Sequence, residues 1–302
     1  MIIVPLLCPT DPYGGEGFRV KQIRQISLAL SPFMSKLQFK NKWVLVTGAS
    51  SGLGEEMARQ LANRHGANLI LLARRKDKLE QLKTELEKQA GVKVKVITAD
   101  LSKLDEVDNA LDEILKEGDL YGAILNAGIT YFGRHEELTW DDFQMMLQTN
   151  VNAVVRMTNR LTFHFEKAGT EGGILIVSSM AAIFPVPYQA AYSGTKAFIL
   201  SFATALMQEL KNKLFSITVY TPGGIVTEMT AGEKFNDLKG WLMPVDQAAR
   251  EGIDAFTKRK LIHIPGLMNR VGGFFIKLLP RGFVMKQMSG VYRKSLDKAG
   301  KK

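Results

Sequence analysis

The chain has 302 residues, 46% of them hydrophobic, enough for one domain with a sizeable core, and it shows no internal repeat or low-complexity tract. Its formal net charge of +10 is unevenly placed: from Lys258 to Lys302 there are twelve basic residues and one acid, Asp297, so the preceding 257 residues are close to neutral. The single cysteine, Cys8, excludes an intramolecular disulfide and fits a reducing cytoplasm.

In chain order, residues 1–33 read as an N-terminal extension or a misassigned start, because Met34-Ser35-Lys36-Leu37 sits just before the first strand. The apolar run Met1 to Leu7 is too short for a membrane span, is broken by Pro5 and has no basic segment before it. Strands are expected at 43–48, 68–74, 93–99, 121–126, 173–178, 216–221 and 261–264, alternating with helical patterns such as Lys78 to Lys88, whose leucines recur three and four apart. That alternation predicts an α/β fold, a Rossmann-like doubly wound parallel sheet of about seven strands. The catalytic domain is expected over 34–266, followed by a basic, apolar extension over 267–302.

The first strand ends in Thr47-Gly48-Ala49-Ser50-Ser51-Gly52-Leu53-Gly54 and runs into a helical pattern. Glycines at 48, 52 and 54 let the backbone turn sharply and approach a pyrophosphate, held against free amides and the helix dipole. Their G-x-x-x-G-x-G spacing departs from the G-x-G-x-x-G of long-chain dinucleotide enzymes. The second strand ends at Ala73-Arg74-Arg75, where an acid would hold a ribose 2'-hydroxyl and an arginine a 2'-phosphate. NADP(H) is therefore expected over NAD(H), with Arg74 placed ahead of Arg75 as the phosphate ligand.

Farther on, Tyr192 and Lys196 are one helical turn apart, so that a fixed cation acts on a phenol. A nearby positive charge lowers a phenol's pKa from about 10 and makes it a usable proton donor and acceptor. Ser179 lies thirteen residues upstream, at the end of the apolar strand Ile174 to Val177; Ser178 is its neighbour and competitor.

With Asp100, Asn126-Ala127-Gly128, Asn150, Ser178-Ser179 and Pro222-Gly223-Gly224-Ile225-Val226-Thr227 added, the chain resembles the classical short-chain dehydrogenase/reductase family over residues 42 to about 265. The resemblance implies that Tyr192 is the general acid/base, that Lys196 lowers its pKa and binds the nicotinamide ribose, and that Ser179 polarises the substrate carbonyl. Asn150, in preference to Asn152, would hold a water joining Lys196 to solvent. Gly48, Ser50, Ser51, Gly52, Leu53 and Gly54 would form the phosphate turn; Asp100 and Leu101 would meet the adenine, and Asn126, Ala127 and Gly128 the adenosine side. Pro222, Gly223, Ile225 and Thr227 would bracket the nicotinamide. No metal is expected, and family members are often dimers or tetramers, so a homo-oligomer is implied.

Two apolar stretches flank this site: Ile183 to Tyr188, and a lid over Glu228 to Pro244 with Met229, Phe235, Leu238, Trp241, Leu242 and Met243. They point to a hydrophobic carbonyl or alcohol, such as an acyl chain, a lipid or a sterol-like ring. The basic tail interleaves Leu267, Met268, Val271, Phe274, Phe275, Ile276 and further apolar residues, a pattern that fits either peripheral contact with an anionic membrane or a helix packed on the sheet. Nothing resembles a nucleic-acid-binding motif. A cofactor-binding sensor or scaffold with little turnover is the competing function, opposed by the complete Asn150, Ser179, Tyr192 and Lys196 set.

Overall fold

The computed structural model describes residues 35–116, 119–277 and 279–299, those from Lys36 onward belonging to one compact body. The expectations for residues 1–33, Cys8 among them, lie outside the described residues.

Seven strands form one parallel sheet: β1 Trp43–Thr47, β2 Asn68–Ala73, β3 Val94–Thr98, β4 Leu120–Leu125, β5 Gly172–Val177, β6 Phe215–Tyr220 and β7 Ile262–His263. Their order is β3-β2-β1-β4-β5-β6-β7. The expected strands are all present, and β7 is cut to two residues.

The strands are near-continuous apolar runs because both faces are covered. Along β1, Val44 and Val46 pack with Leu79 and Leu86 of α2 (Lys76–Ala90) and Phe256 of α7 (Val245–Thr257). Leu45, pointing the other way, packs with Val107 and Leu111 of α3 (Leu104–Lys116) and Leu161 of α5 (Ala153–Ala168). Helix α1 (Gly52–His65) lies on the first face and α6 (Ala190–Glu209) on the second. Truncating a side chain buried as fully as Leu45 to alanine costs about 2–5 kcal/mol.

Between β1 and β4 the strand order reverses, opening a crevice at the carboxyl ends of the strands where ligands of such sheets bind. The segment before α5 is less regular. Helix α4 (Trp140–Leu147) continues into a π-turn, Gln148–Asn152, before α5 begins, and such turns concentrate at functional sites.

The tail forms two helices, α8 (Leu267–Lys277) and α9 (Arg281–Ala299). In α9, Val284 and Ser295 are buried; Ser295 Oγ donates to Lys234 O at 2.6 Å, and Tyr292 meets Phe132 edge-on at 5.6 Å. Lys234 Nζ donates to Phe132 O at 3.0 Å, and Phe132 also packs on Phe235 at 5.1 Å. The second half of the tail is thus packed on the lid. Among the described residues no helix is long and apolar enough to cross a membrane.

Candidate active site

The crevice is built around Thr47, the last residue of β1. Its hydroxyl accepts the N–H groups of Asn126 and Ala127, both at 3.0 Å, while Asn126 Nδ2 donates to Thr47 O at 3.1 Å. These bonds lock the chain leaving β4 against the chain leaving β1.

Two glycines of the turn have no alternative. Gly48 has φ +67°, and a Cβ there would lie 2.9 Å from Asn126 Nδ2. Gly54 has ordinary dihedrals, but its Cβ would collide with Gly48 O and come within 2.5 Å of Asn126 Nδ2. Gly52 faces Thr227, whose Cβ lies 3.2 Å from where its own would be, so the phosphate turn meets the loop after β6. Ser51 is the extended residue before α1, and Leu53 is buried in the helix's first turn.

Around the turn's outer side, Arg75 Nε donates to Ser50 Oγ at 3.2 Å and Nη2 to Ser50 O at 3.1 Å. The same guanidinium reaches Glu228 Oε2 at 3.3 and 3.4 Å. Arg74 is exposed, and its charge acts on Asp100. Burial raises the Asp100 carboxyl, but the Ser102 N–H and hydroxyl at 3.0 and 2.9 Å, with Arg74 and Lys103 nearby, hold it below its ordinary pKa. Leu101 beside it is buried.

On the other side of the crevice lie the acid/base candidates. Lys196 is 4% exposed, donates to Val177 O at 3.0 Å and lies 5.8 Å from the centroid of the Tyr192 ring. Burial pushes its ammonium down to about 8. The Tyr192 phenol, hydrogen-bonded to Ser179, runs opposite to the sequence expectation: burial raises its pKa above the ordinary value, and the Ser179 bond offsets only part of that. Desolvation of the phenolate outweighs any lowering by its neighbours, so at neutral pH Tyr192 is protonated, a donor in waiting.

Position separates the competing serines. Ser178 is buried and its hydroxyl donates to Lys196 O at 2.9 Å, whereas Ser179 Oγ accepts from Ala181 N and donates to Pro222 O at 3.5 Å. The asparagines separate likewise. Asn152 bonds Gln148 within its own segment. Asn150, fully buried, accepts from Ile129 N at 2.9 Å and donates to Ile129 O at 2.8 Å and Thr195 Oγ1 at 3.2 Å. A Cβ at Gly128 would be 3.2 Å from Asn150 Oδ1 and 3.3 Å from Lys196 Nζ, so both polar groups border one small gap that only glycine keeps open.

Pro222 O accepts from Met180 N at 2.8 Å, tying the loop after β6 to the loop after β5. Ile225 pairs with Met243, Gly223 faces Asn269 of α8, and the Thr227 N–H donates to Thr230 Oγ1 at 3.1 Å. Of the apolar lid residues, Leu242 packs on Gly224 and Phe235 on Phe132, but Trp241 is 84% exposed and lines no wall.

Several contributors carried no distinctive sequence signal: Ile129 and Val177 act through main-chain carbonyls, and Phe132, Tyr292 and Ser295 meet only through tertiary packing. Thr47 did have one, a hydroxyl at the very end of the first strand.

Fold and crevice together define a nucleotide-binding protein of the doubly wound α/β class. The family model "short chain dehydrogenase" matches residues 42–237. The chain is similar to 17-beta-hydroxysteroid dehydrogenase type 3 of Homo sapiens, 35% identical over 225 residues that cover 74% of this chain and 71% of that protein. The matched stretch is 64% of the mouse and rat proteins of the same name. It is also similar to very-long-chain 3-oxoacyl-CoA reductase-A of Danio rerio, 34% identical over 71% of this chain and 65% of that protein. Among solved structures, a short-chain dehydrogenase from Sphingobium yanoikuyae in complex with NADPH superposes with TM-score 0.71 at 27% identity, covering 81% of this chain and 95% of that one. A 3-ketoacyl-(acyl-carrier-protein) reductase from Brucella melitensis complexed with NADH gives 0.67 at 29% identity, covering 76% and 97%. The chain belongs to the short-chain dehydrogenase family and is an oxidoreductase that binds a nicotinamide nucleotide.

Proposed function

We propose that this oxidoreductase uses NADP(H) to interconvert a carbonyl and an alcohol on a hydrophobic substrate, with Asn150, Ser179, Tyr192 and Lys196 as its acid/base machinery. The observation that carries the reading is the trio in which the half-buried Tyr192 bonds Ser179 and borders the buried Lys196 ammonium, with the gap at Gly128 on the far side of the lysine.

The residues present fit the nucleotide. Gly48, Gly52 and Gly54 leave the close approach a pyrophosphate needs at the start of α1, and Arg74 and Arg75 stand where a 2'-phosphate would arrive. When bound, the cofactor supplies or accepts the hydride. Ser179 Oγ hydrogen-bonds the substrate oxygen, and Tyr192 delivers its proton to that oxygen in reduction or takes it in oxidation. Lys196, anchored on Val177 O, would hold the nicotinamide ribose and return a proton to the phenolate, itself supplied from solvent by a water at the Gly128 gap, which Asn150 borders. Asp100, Leu101, Asn126 and Ala127 serve the adenosine half; Pro222, Gly223, Ile225 and Thr227 serve the nicotinamide half.

Ile183, Phe184, Val186, Phe235 and Leu242 supply the apolar surroundings. The names of the relatives, a hydroxysteroid dehydrogenase and a very-long-chain 3-oxoacyl-CoA reductase, support a steroid-like or long acyl ketone as substrate. We place the enzyme in the cytoplasm, as a homo-oligomer, at the inner face of a membrane.

The test is NADPH and NADH consumption over aldehydes and ketones graded by size and polarity, with Tyr192→Phe as control. Turnover that prefers NADPH, rises with apolar chain length and vanishes in the variant supports the reading. Tight NADPH binding with no turnover would leave a cofactor-binding protein instead, and equal rates on short polar and long apolar ketones would remove the hydrophobic substrate.

A further inference from the structure

Helix α8 has two unlike faces. On the inner one, the Cβ position of Gly273 lies 3.5 Å from Phe184 and 3.8 Å from Met180, and Asn269 sits 3.3 Å from that of Gly223. The helix therefore backs directly onto the two loops that flank Ser179. On the outer face, Leu267, Met268 and Val271 are 67, 84 and 46% exposed, Phe275 is 60% exposed, and Leu279 follows at 46%. Within α8, positions 268, 271 and 275 recur three and four apart, so they form one row, with Leu267 beside it. Single exposed apolar residues are ordinary on a soluble surface, whereas an aligned row of large ones marks an interaction site.

Charge selects the occupant. The chain from Lys258 onward holds twelve basic residues and one acid, and Lys286, Arg293 and Lys294 of the adjoining α9 are exposed. A second copy of this chain would bring two basic tails together, which repel, whereas an anionic bilayer meets the same charge with its opposite. The geometry sets the depth. At 1.5 Å per residue α8 is about 16 Å long, near half the hydrocarbon thickness, so it lies on a membrane and does not cross it.

We propose that the outer face of α8, with Leu267, Met268 and Val271, seats the chain on an anionic lipid surface. The Met180 and Phe184 wall of the active site is then directly behind the seated helix, so that an apolar substrate passes from lipid to site with little exposure to water. That last step rests on the hydrophobic-substrate reading above. The two helices of the tail divide the work: α9 fixes the lid, and α8 faces the lipid.

The experiment is co-sedimentation of the full chain with vesicles of phosphatidylcholine alone and of phosphatidylcholine with phosphatidylglycerol, comparing the wild type with the double variant Met268→Asp, Val271→Asp. Circular dichroism and NADPH binding check that the variant is folded, and NADPH-dependent turnover of the graded ketone series above, long apolar members included, is followed in the same samples. The expected result is binding that needs the anionic lipid, weakens with salt and falls about tenfold or more in the variant, with cofactor binding unchanged. Absence of binding to both vesicles overturns the proposal, as does equal binding by the variant, or a dimer in light scattering that the variant converts to monomer. Vesicle binding without turnover would sink the reductase reading and leave this surface standing.

Discussion

Arg75 and Glu228 face each other across the rim of the phosphate turn, the guanidinium at 3.3 and 3.4 Å from one carboxylate oxygen while its other donors hold Ser50. The carboxylate thus occupies donors that a cofactor 2'-phosphate would use, and it belongs to the first residue of the lid. Both partners are well exposed, at 43 and 68%, so the pair contributes no more than about 1 kcal/mol. Replacing Glu228 by glutamine is expected to tighten NADPH binding by at most about fivefold and leave NADH unchanged. Parallel fluorescence titrations of the two cofactors check this; equal tightening of both would dissociate Glu228 from phosphate recognition.

Lys196 predicts opposite pH trends for stability and rate. Its pKa is about 8 when folded against 10.5 when unfolded, so the unfolded chain binds more protons between those values and stability rises with pH across that window. Below pH 8 the penalty of the buried cation is fully present, on the order of 3 kcal/mol. Lys196→Met is expected to match or exceed the wild-type Tm at pH 7 and to flatten the rise between pH 8 and 10.5. Over the same range kcat/KM for carbonyl reduction should fall in the wild type, as Lys196 loses its proton. A wild-type Tm that is level or declining from pH 8 to 10 would contradict the assignment.

Gly54→Ala tests the turn itself. The added methyl meets Gly48 O, on a peptide chain tied through the Gly48 N–H to Leu72 O, and Asn126 Nδ2, a side chain held by Thr47 O, so neither can easily retreat. The expected outcome is a lower Tm and a loss of at least about tenfold in affinity for either nucleotide, read by calorimetry. Gly194→Ala, where a Cβ meets nothing within 4 Å, is the matched control on α6 and should leave both quantities intact.

Ser295→Ala tests the lid anchor. Removing the hydroxyl deletes the 2.6 Å bond to Lys234 O and should cost about 1 kcal/mol. Among the described residues α9 bonds or packs on the lid, Phe132 and Arg134, away from the phosphate turn, so KM for apolar ketones should rise and proteolytic nicking within 228–243 should quicken, with the NADPH Kd unmoved. A changed Kd with unchanged nicking would mean that Ser295 acts elsewhere.

The strands and their order of appearance were readable because a sheet covered on both faces demands unbroken apolar runs, and runs such as Leu69 to Leu72 leave few other options. The meeting of Ser179, Tyr192 and Lys196 was legible for a related reason: their spacing puts one at a strand end and the other two a helix turn apart, and the structure brings the three together. What escaped was whatever depends on main-chain atoms or distant partners. Ile129 holds Asn150 through its peptide group, for which any residue would read the same. The direction of the Tyr192 shift also escaped, because charge proximity is visible as a spacing in the chain whereas the desolvation that outweighs it exists only once the site is packed. The tail's pattern fitted two readings, and its two helices differ: Val284 and Ser295 of α9 are buried and Ser295 bonds the lid, while Leu267 and Met268 of α8 are exposed.

The anchoring of the lid by α9 also sets an order of assembly during synthesis. Thr47 finds its partners once Asn126 and Ala127 have emerged, so the nucleotide cradle can close early on the nascent chain. The bonds that fix the lid, from Ser295 and Tyr292, must wait for nearly everything else to be made. A nascent chain can therefore join the ends of β1 and β4 well before it gains the bonds that fix the lid.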